Sequence, residues 1–235
     1  MHICEINSSR PAGSRKESIS AIANNKMYIP SINLATDRNE IIAFMKQFSF
    51  ATIITAKDGL PVATHLPFLV TTRGEDVILT SHFAKANAHW NDLEGNKVLV
   101  IFSEPHAYIS PKNYDQVLNV PTWNYISIHA YGQGKVIADT QKTFEVLEAT
   151  IDRYETSYMP QWNSFPEDYK LKMSKGIVAF EILVTELQAK KKLSQNRTQS
   201  EQQKIIENLS KSKDTNAQLI AEYMKNKKTV FNNNG

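Results

Sequence analysis

Between Asp37 and Phe48 the apolar residues are Ile41, Ile42, Phe44, Met45 and Phe48, a spacing of three and four that puts them on one side of a helix. Thr36 or Asp37 stands where the first turn needs a cap, and Glu40 follows Asp37 by three as the reciprocal acid. The period then changes. Phe50-Ala51-Thr52-Ile53-Ile54-Thr55 is rich in β-branched residues, Lys57-Asp58-Gly59 supplies a turn, and Pro61 to Thr71 reads as the returning strand. Arg73-Gly74-Glu75-Asp76 turns the chain again, into a third strand over Val77 to Ser81. Turn chemistry alone therefore predicts an antiparallel meander.

The same reading continues to the end of the chain. Ala84 to Leu93 is a short helix or helical loop, Lys97 to Phe102 a fourth strand, and Ala107 to Ser110 a fifth, closed by Pro111. Lys112 to Thr122 is loop-like. Tyr125 to Tyr131 alternates in the strand manner, and Gly132 and Gly134 bend the chain into Lys135-Val136-Ile137. Thr140 to Tyr154 is helical, with Phe144, Leu147 and Ile151 expected on the buried side and Glu145, Glu148 and Asp152 on the polar side. An irregular aromatic stretch, Tyr158 to Phe165, and a short helix, Asp168 to Lys175, lead to a last strand, Ile177 to Gln188, in which Val178, Phe180, Ile182 and Val184 face one way. Two helices follow from Thr198, the second capped by Asp214. Six or more strands joined by short turns, with helices at the ends, predict a mainly β chain with α: a closed or half-closed antiparallel barrel plus C-terminal helices. There is no alternating β-α-β series, which argues against a doubly wound nucleotide fold.

Composition narrows the class. In 235 residues, 41% are apolar and 22% charged, ordinary for a globular protein and against wholesale disorder. No apolar run approaches the roughly 20 residues of a membrane span. Cys4 stands alone, so neither an internal disulfide nor a zinc site of paired cysteines can form, which fits a reducing cytoplasmic setting. Residues 1–26 are polar, have no secretion-signal core, and read as an extension or tag ahead of the fold. The tail Asn232 to Gly235 is expected to fray.

Charge is uneven. Residues 189–228 carry ten Lys or Arg against four acids, whereas residues 27–188 carry thirteen against eighteen. The chain thus divides into an N-terminal extension (1–26), an acidic barrel (27–188) and a basic helical segment (189–235). The basic segment is either a solvated helix face or a contact for an anionic partner such as DNA, for which Lys190, Lys191, Lys192 and Lys204 are candidates.

No Walker loop, G-x-G-x-x-G, H-E-x-x-H or G-x-S-x-G is present, and the six histidines lack metal-ligand spacing. Three segments instead mix hydroxyl, amide, imidazole and amine groups with aromatics at predicted strand ends. These are Ala63 to Phe68, Thr80 to Trp90, and Val120 to Tyr125. Such a mix suits a flat heteroaromatic ligand with an anionic tail: Lys85 and free backbone amides for a phosphate, Trp123 to wall a ring, Asn124 to bond its edge. The plain alternative is that Trp90 and Trp123 are core and the hydroxyls cap turns. Lys192 to Arg197 is a fourth polar run, or simply a linker capping the next helix.

The segments Met27-Tyr28-Ile29-Pro30, Thr64-His65-Leu66-Pro67-Phe68, Ser81-His82-Phe83-Ala84-Lys85-Ala86-Asn87 with Trp90, Ala107 to Pro111 with Tyr114, Val120-Pro121-Thr122-Trp123-Asn124-Tyr125 and Lys192-Leu193-Ser194-Gln195-Asn196-Arg197 resemble, in order, the PaiB family. These are FMN-binding negative transcriptional regulators of the flavin split-barrel superfamily. The sequence departs from the family at Ser81 and Ala88, where members usually carry glycine and often proline. The resemblance implies a six-stranded split barrel that forms a homodimer and binds FMN between subunits. It implies Ser81, His82, Ala84, Lys85 and Asn87 at the phosphate, and Thr64, His65 and Leu66 along the isoalloxazine. Trp123 and Asn124 would close the pocket, and Lys192, Gln195 and Asn196 would reach it late in the chain. It implies a repressor. A flavin-dependent oxidoreductase of flavin-reductase type would use the same pocket, with His65 and His82 as the acid or base to test, and a haem-handling protein on the same barrel is a weaker third reading.

Overall fold

The computed structural model describes residues 27–231, with side chains through Asn226. The expectations for residues 1–26 and 232–235 lie outside the described residues. Helix α1 (Arg38–Gln47) follows the predicted stripe, and Asp37 accepts its Glu40 amide at 3.0 Å. The Glu40 carboxylate, expected to close a reciprocal cap, instead pairs with Lys191.

The strands are β1 (Phe50–Lys57), β2 (Leu60–Pro67), β3 (Leu69–Arg73), β4 (Asp76–Ala84), β5 (Lys97–Ile109) and β6 (Thr122–Val136). Helices α2 (Thr140–Glu155), α3 (Met159–Ser164) and α4 (Glu167–Ser174) lead to β7 (Ile177–Lys192), and α5 (Gln199–Ser210) and α6 (Thr215–Phe231) complete the described chain. All seven strands form one antiparallel sheet in the order β2-β1-β5-β6-β7-β4-β3.

That order contains the closure of the barrel. The segment expected as one strand, Pro61 to Thr71, is two strands that lie on opposite edges of the sheet, with only Phe68 between them. Two edges joined by one residue must meet there, so the sheet curls upon itself. Phe68 is 1% exposed and packs edge-on against Phe102 and Phe180 at 6.1 and 6.2 Å. Ser81 on β4 donates its Oγ to the Pro67 carbonyl at 2.7 Å, a tie across the same corner that glycine could not make. The split accounts for seven strands where six were implied.

The expected fourth and fifth strands are likewise one, β5, with a register shift between Ser103 and His106. Where Gly132 and Gly134 were expected to bend the chain, β6 runs on continuously with a register shift between Tyr131 and Gly132. A Cβ on Gly132 would run into the Leu183 carbonyl, and one on Gly134 into the Leu93 side chain, so both glycines permit close approach. On α2 the deeply buried residues are Thr143 and Val146, while Phe144, Leu147 and Ile151 are half-buried. This helix lies outside the barrel, and its residues are not part of the main core.

Helices α5 and α6 share that core through Ile205, Ile206, Leu209, Ala217, Ile220, Ala221 and Met224. Thr198 and Glu201 form a reciprocal cap on α5, and Asp214 accepts the Asn216 amide at the start of α6. The strand expected to stop at Gln188 runs on to Lys192, so the 188/189 boundary falls inside β7. Truncating Phe68 to Ala is expected to cost about 3–5 kcal/mol, and Phe68→Leu clearly less, as read from urea denaturation.

Candidate functional site

The sequence-predicted residues fall into two groups at opposite ends of the β6–β7 ribbon. The first gathers where β4 ends. Antiparallel pairing sets Ala84 opposite Ile177, so the exposed Lys85 follows and its amide donates to the Gly176 carbonyl at 2.8 Å. The Lys85 ammonium lies 5.4 Å from the Trp90 ring, whose Nε1 donates back to the Lys85 carbonyl at 3.1 Å. Both residues border a crevice of about 330 Å³ shared with Lys175, Thr140 and Ile137. A second cation, Lys175, therefore stands beside Lys85. Sequence reading passed over it because only the pairing of β4 with β7 brings it there.

Beyond Lys85 the loop folds back onto the β1–β2 hairpin. Asn87 caps the 3-10 turn Ala88–Asp92 by accepting the His89 amide at 3.1 Å, and its Nδ2 donates to Thr64 Oγ1 at 3.2 Å. His89, 3% exposed, places Nδ1 2.8 Å from Thr64 Oγ1 and Nε2 3.0 Å from Thr55 Oγ1. Thr64, expected along the ring, and Asn87, expected at the phosphate, thus meet directly, beside a histidine that was weighed only as a metal ligand. Among the described residues no group of His, Cys, Asp and Glu is placed to hold a metal.

Strand alternation separates neighbours that were grouped in the sequence. Thr64 pairs with the buried Ile53, whereas His65 pairs with Thr52 on the other face, where its Nδ1 lies 2.9 Å from Thr52 Oγ1 and its ring stacks near Phe50. Leu66 shares the Thr64 face and packs against the core. Ser81 likewise points to the core and His82 away from it.

The second group lies at the start of β6 and the end of β7. Trp123 is 51% exposed, so it is not a core residue, and it stands against Tyr108 and His106 at 5.9 and 5.8 Å. Lys192 pairs across the sheet with Tyr125 and donates to Thr122 Oγ1. Two assignments are corrected here. Asn124 is fully buried; its Oδ1 accepts from Ser194 Oγ at 3.0 Å and its Nδ2 faces Met224 Sδ, so it clasps the last strand and α6 to the barrel. Gln195 is consumed by its own turn, accepting the Leu193 amide and donating to the Lys191 carbonyl. Asn196 is exposed.

The basic segment is also rearranged. Lys190 and Lys191 are each 8% exposed on β7, not on a solvated helix. Lys190 donates to the Tyr28 carbonyl at 3.0 Å between the Tyr28 and Tyr125 rings, and Lys204 pairs with Asp115 at 2.6 Å. Arg197 covers the Tyr114 ring at 3.6 Å. Of the charges counted as a patch, Lys190, Lys191, Arg197 and Lys204 are thus spent on contacts within the fold.

The family profile described as "Putative FMN-binding domain" matches residues 27–186. The chain belongs to this FMN-binding domain family. Protease synthase and sporulation protein PAI 2 of Bacillus subtilis (strain 168) is 37% identical over 204 residues, covering 86% of this chain and 98% of that one. Two solved structures share the fold at low identity. A flavocytochrome from Azotobacter vinelandii has 17% identity and a TM-score of 0.54, covering 67% of this chain and 68% of its own. An FAD and heme binding protein from Mycobacterium smegmatis has 20% identity and a TM-score of 0.53, covering 68% and 73%. The fold is the antiparallel split barrel with added C-terminal helices. Among the described residues no helix is long and apolar enough to cross a membrane.

Burial holds the His82, His89 and His129 imidazoles below the usual value of 6.5, with Asp92 pulling His89 the other way. An imidazole kept neutral when folded but free to take a proton when unfolded favours unfolding in acid. Its stabilisation is present in full above about pH 6.5 and is lost as the pH falls below that, toward the lowered folded value. The urea midpoint is therefore expected to drop between about pH 7.5 and 5, and His89→Gln to make the drop shallower.

Proposed function

We propose that the chain is a homodimeric FMN-binding regulator in which each flavin lies between two copies. The observation that carries this reading is the separation of the two groups. Lys85 borders Val136 and Ile137 at one end of β6, and Trp123 lies at the other, thirteen or more residues away. At about 3.3 Å per residue that is roughly 40 Å of strand, far more than one mononucleotide spans. The two groups can serve one ligand only if different chains supply them.

The chemistry of each group fits its share. Lys85 and Lys175 offer charge-assisted donors to a phosphate, Thr64 and Asn87 offer polar contacts for a ring edge, and Trp123 offers an aromatic wall. The bound flavin would supply redox chemistry; the residues here bind and orient it.

The outer sheet face supports a second copy. Ile54, Leu99 and Tyr131 lie in one cross-strand row, and Thr52, Ile101 and His129 in the next, all half-buried. Val117 and Leu118, beside the Trp123 end, are 95% and 96% exposed, unusual for apolar side chains without a partner.

The regulatory output would be DNA binding. Since Lys190, Lys191, Lys192 and Lys204 are engaged, two cations free to meet phosphates among the described residues of this segment are Lys211 and Lys213, exposed at the α5–α6 connection. Purified protein is expected to elute as a dimer, to take up one FMN per chain, and to lose about tenfold or more in affinity on Lys85→Gln. A monomer whose spectrum is unchanged by millimolar FMN contradicts the reading. In gel-shift titrations, Lys211→Gln with Lys213→Gln should weaken DNA binding and flatten its salt dependence. Rapid flavin bleaching by NADH with no DNA binding at low salt would favour the oxidoreductase instead.

A further inference from the structure

We propose that His89 is a positioning residue for the flavin pocket: it carries its proton on Nδ1 and thereby leaves the Thr64 hydroxyl as a fixed donor to an acceptor atom of bound FMN. The inference rests on the FMN reading above and adds to it a residue that does not itself touch the ligand.

Asn87 Oδ1 accepts the His89 backbone amide at 3.1 Å, which sets the side-chain amide so that Nδ2 faces Thr64, 3.2 Å from its Oγ1. Asn87 must therefore donate to Thr64. Thr55 is 1% exposed, and the hydrogen bond of its hydroxyl is to His89 Nε2 at 3.0 Å. If Nε2 carried the proton, the Thr55 hydrogen would be buried without an acceptor, an arrangement folded proteins avoid. Thr55 therefore donates, Nε2 accepts, and the ring proton sits on Nδ1.

Nδ1 lies 2.8 Å from Thr64 Oγ1 and donates to it. The Thr64 oxygen then accepts from both His89 and Asn87, and its own hydrogen is spoken for by neither. A hydroxyl that otherwise rotates among several orientations is held in one, pointing away from its two donors. The ring itself is held by the tilted Phe83 ring at 5.3 Å. A donor already oriented before binding loses less freedom when the ligand arrives.

Two measurements test this. The ¹⁵N shifts of the His89 ring in the ligand-free protein should report a proton on Nδ1; a proton on Nε2 overturns the relay. FMN titrations followed by fluorescence quenching then form a double-mutant cycle. Thr64→Val and His89→Leu should each weaken binding about tenfold, the loss of one ordinary hydrogen bond. The double variant should be no weaker than Thr64→Val alone, within about twofold. His89→Gln, whose amide offers both a donor and an acceptor, should recover most of the loss. Additive effects, or a Gln variant as weak as the Leu one, overturn the proposal. Should His89→Leu not fold, Thr55→Val removes the donor to Nε2 from a buried position and should both mix the tautomers and weaken FMN; an unchanged tautomer and affinity overturn it. An Nε2 proton in a chain that binds FMN rejects the relay alone. An Nδ1 proton in a chain that takes up no FMN rejects the flavin reading, and the proposed ligand contact with it.

Discussion

Phe68 separates two strands that sit on opposite edges of a seven-stranded sheet, and a single residue cannot reach across an open sheet. The sheet must close, and closure decides most of the other spatial relations in the molecule. It turns Ile53, Leu79, Phe83, Val100, Phe102, Ile128 and Phe180 toward a common interior. Within the sheet, the direct pairing of β4 with β7 sets Lys85 next to Lys175. Closure also carries the loop after β4 onto the β1–β2 hairpin, where His89 finds Thr55 and Thr64 on neighbouring strands. The apolar burial at Phe68, with Phe102 and Phe180 against its ring, holds these relations in place.

Much of this was legible in the chain. The helical stripe of α1, the Asp-Gly hairpin, the alternation along β6 and β7, the onset of helix at Thr198 and the cap at Asp214 are local signals, and each produced the element it predicted. The break at Phe68 was not legible, because Leu66, Phe68 and Val70 keep a strand-like alternation straight through it; only the order of strands reveals that the chain changes edge. The placement of Lys85 and Asn87 on one loop was legible, because a single motif carries both. The candidate site was misread where the decisive fact is burial. Asn124 and Gln195 look like ligand-facing amides in a polar string, yet local packing uses both. His89 looks like an isolated histidine until Thr55 and Thr64, distant in sequence, are folded beside it.

The basic C-terminal charge shows the same limit. A net count cannot tell a lysine that screens solvent from one that ends on a carboxylate or a carbonyl. Lys190 and Lys191 spend their ammonium groups on the Tyr28 carbonyl and the Glu40 carboxylate, tying the N-terminal segment and α1 to β7. Among the described residues, Lys211 and Lys213 are exposed at the connection between α5 and α6.

A ligand site shared between two chains is the proposed answer to one chain holding its two groups at opposite ends of the same ribbon. Trans-complementation tests it directly. Lys85→Gln and Trp123→Ala chains are prepared separately, each weak in FMN binding, then mixed, exchanged and titrated with FMN. Mixed dimers should regain one tight site per dimer, since one of the two sites then receives an intact group from each chain. Mixed dimers that bind no better than either parent would contradict it.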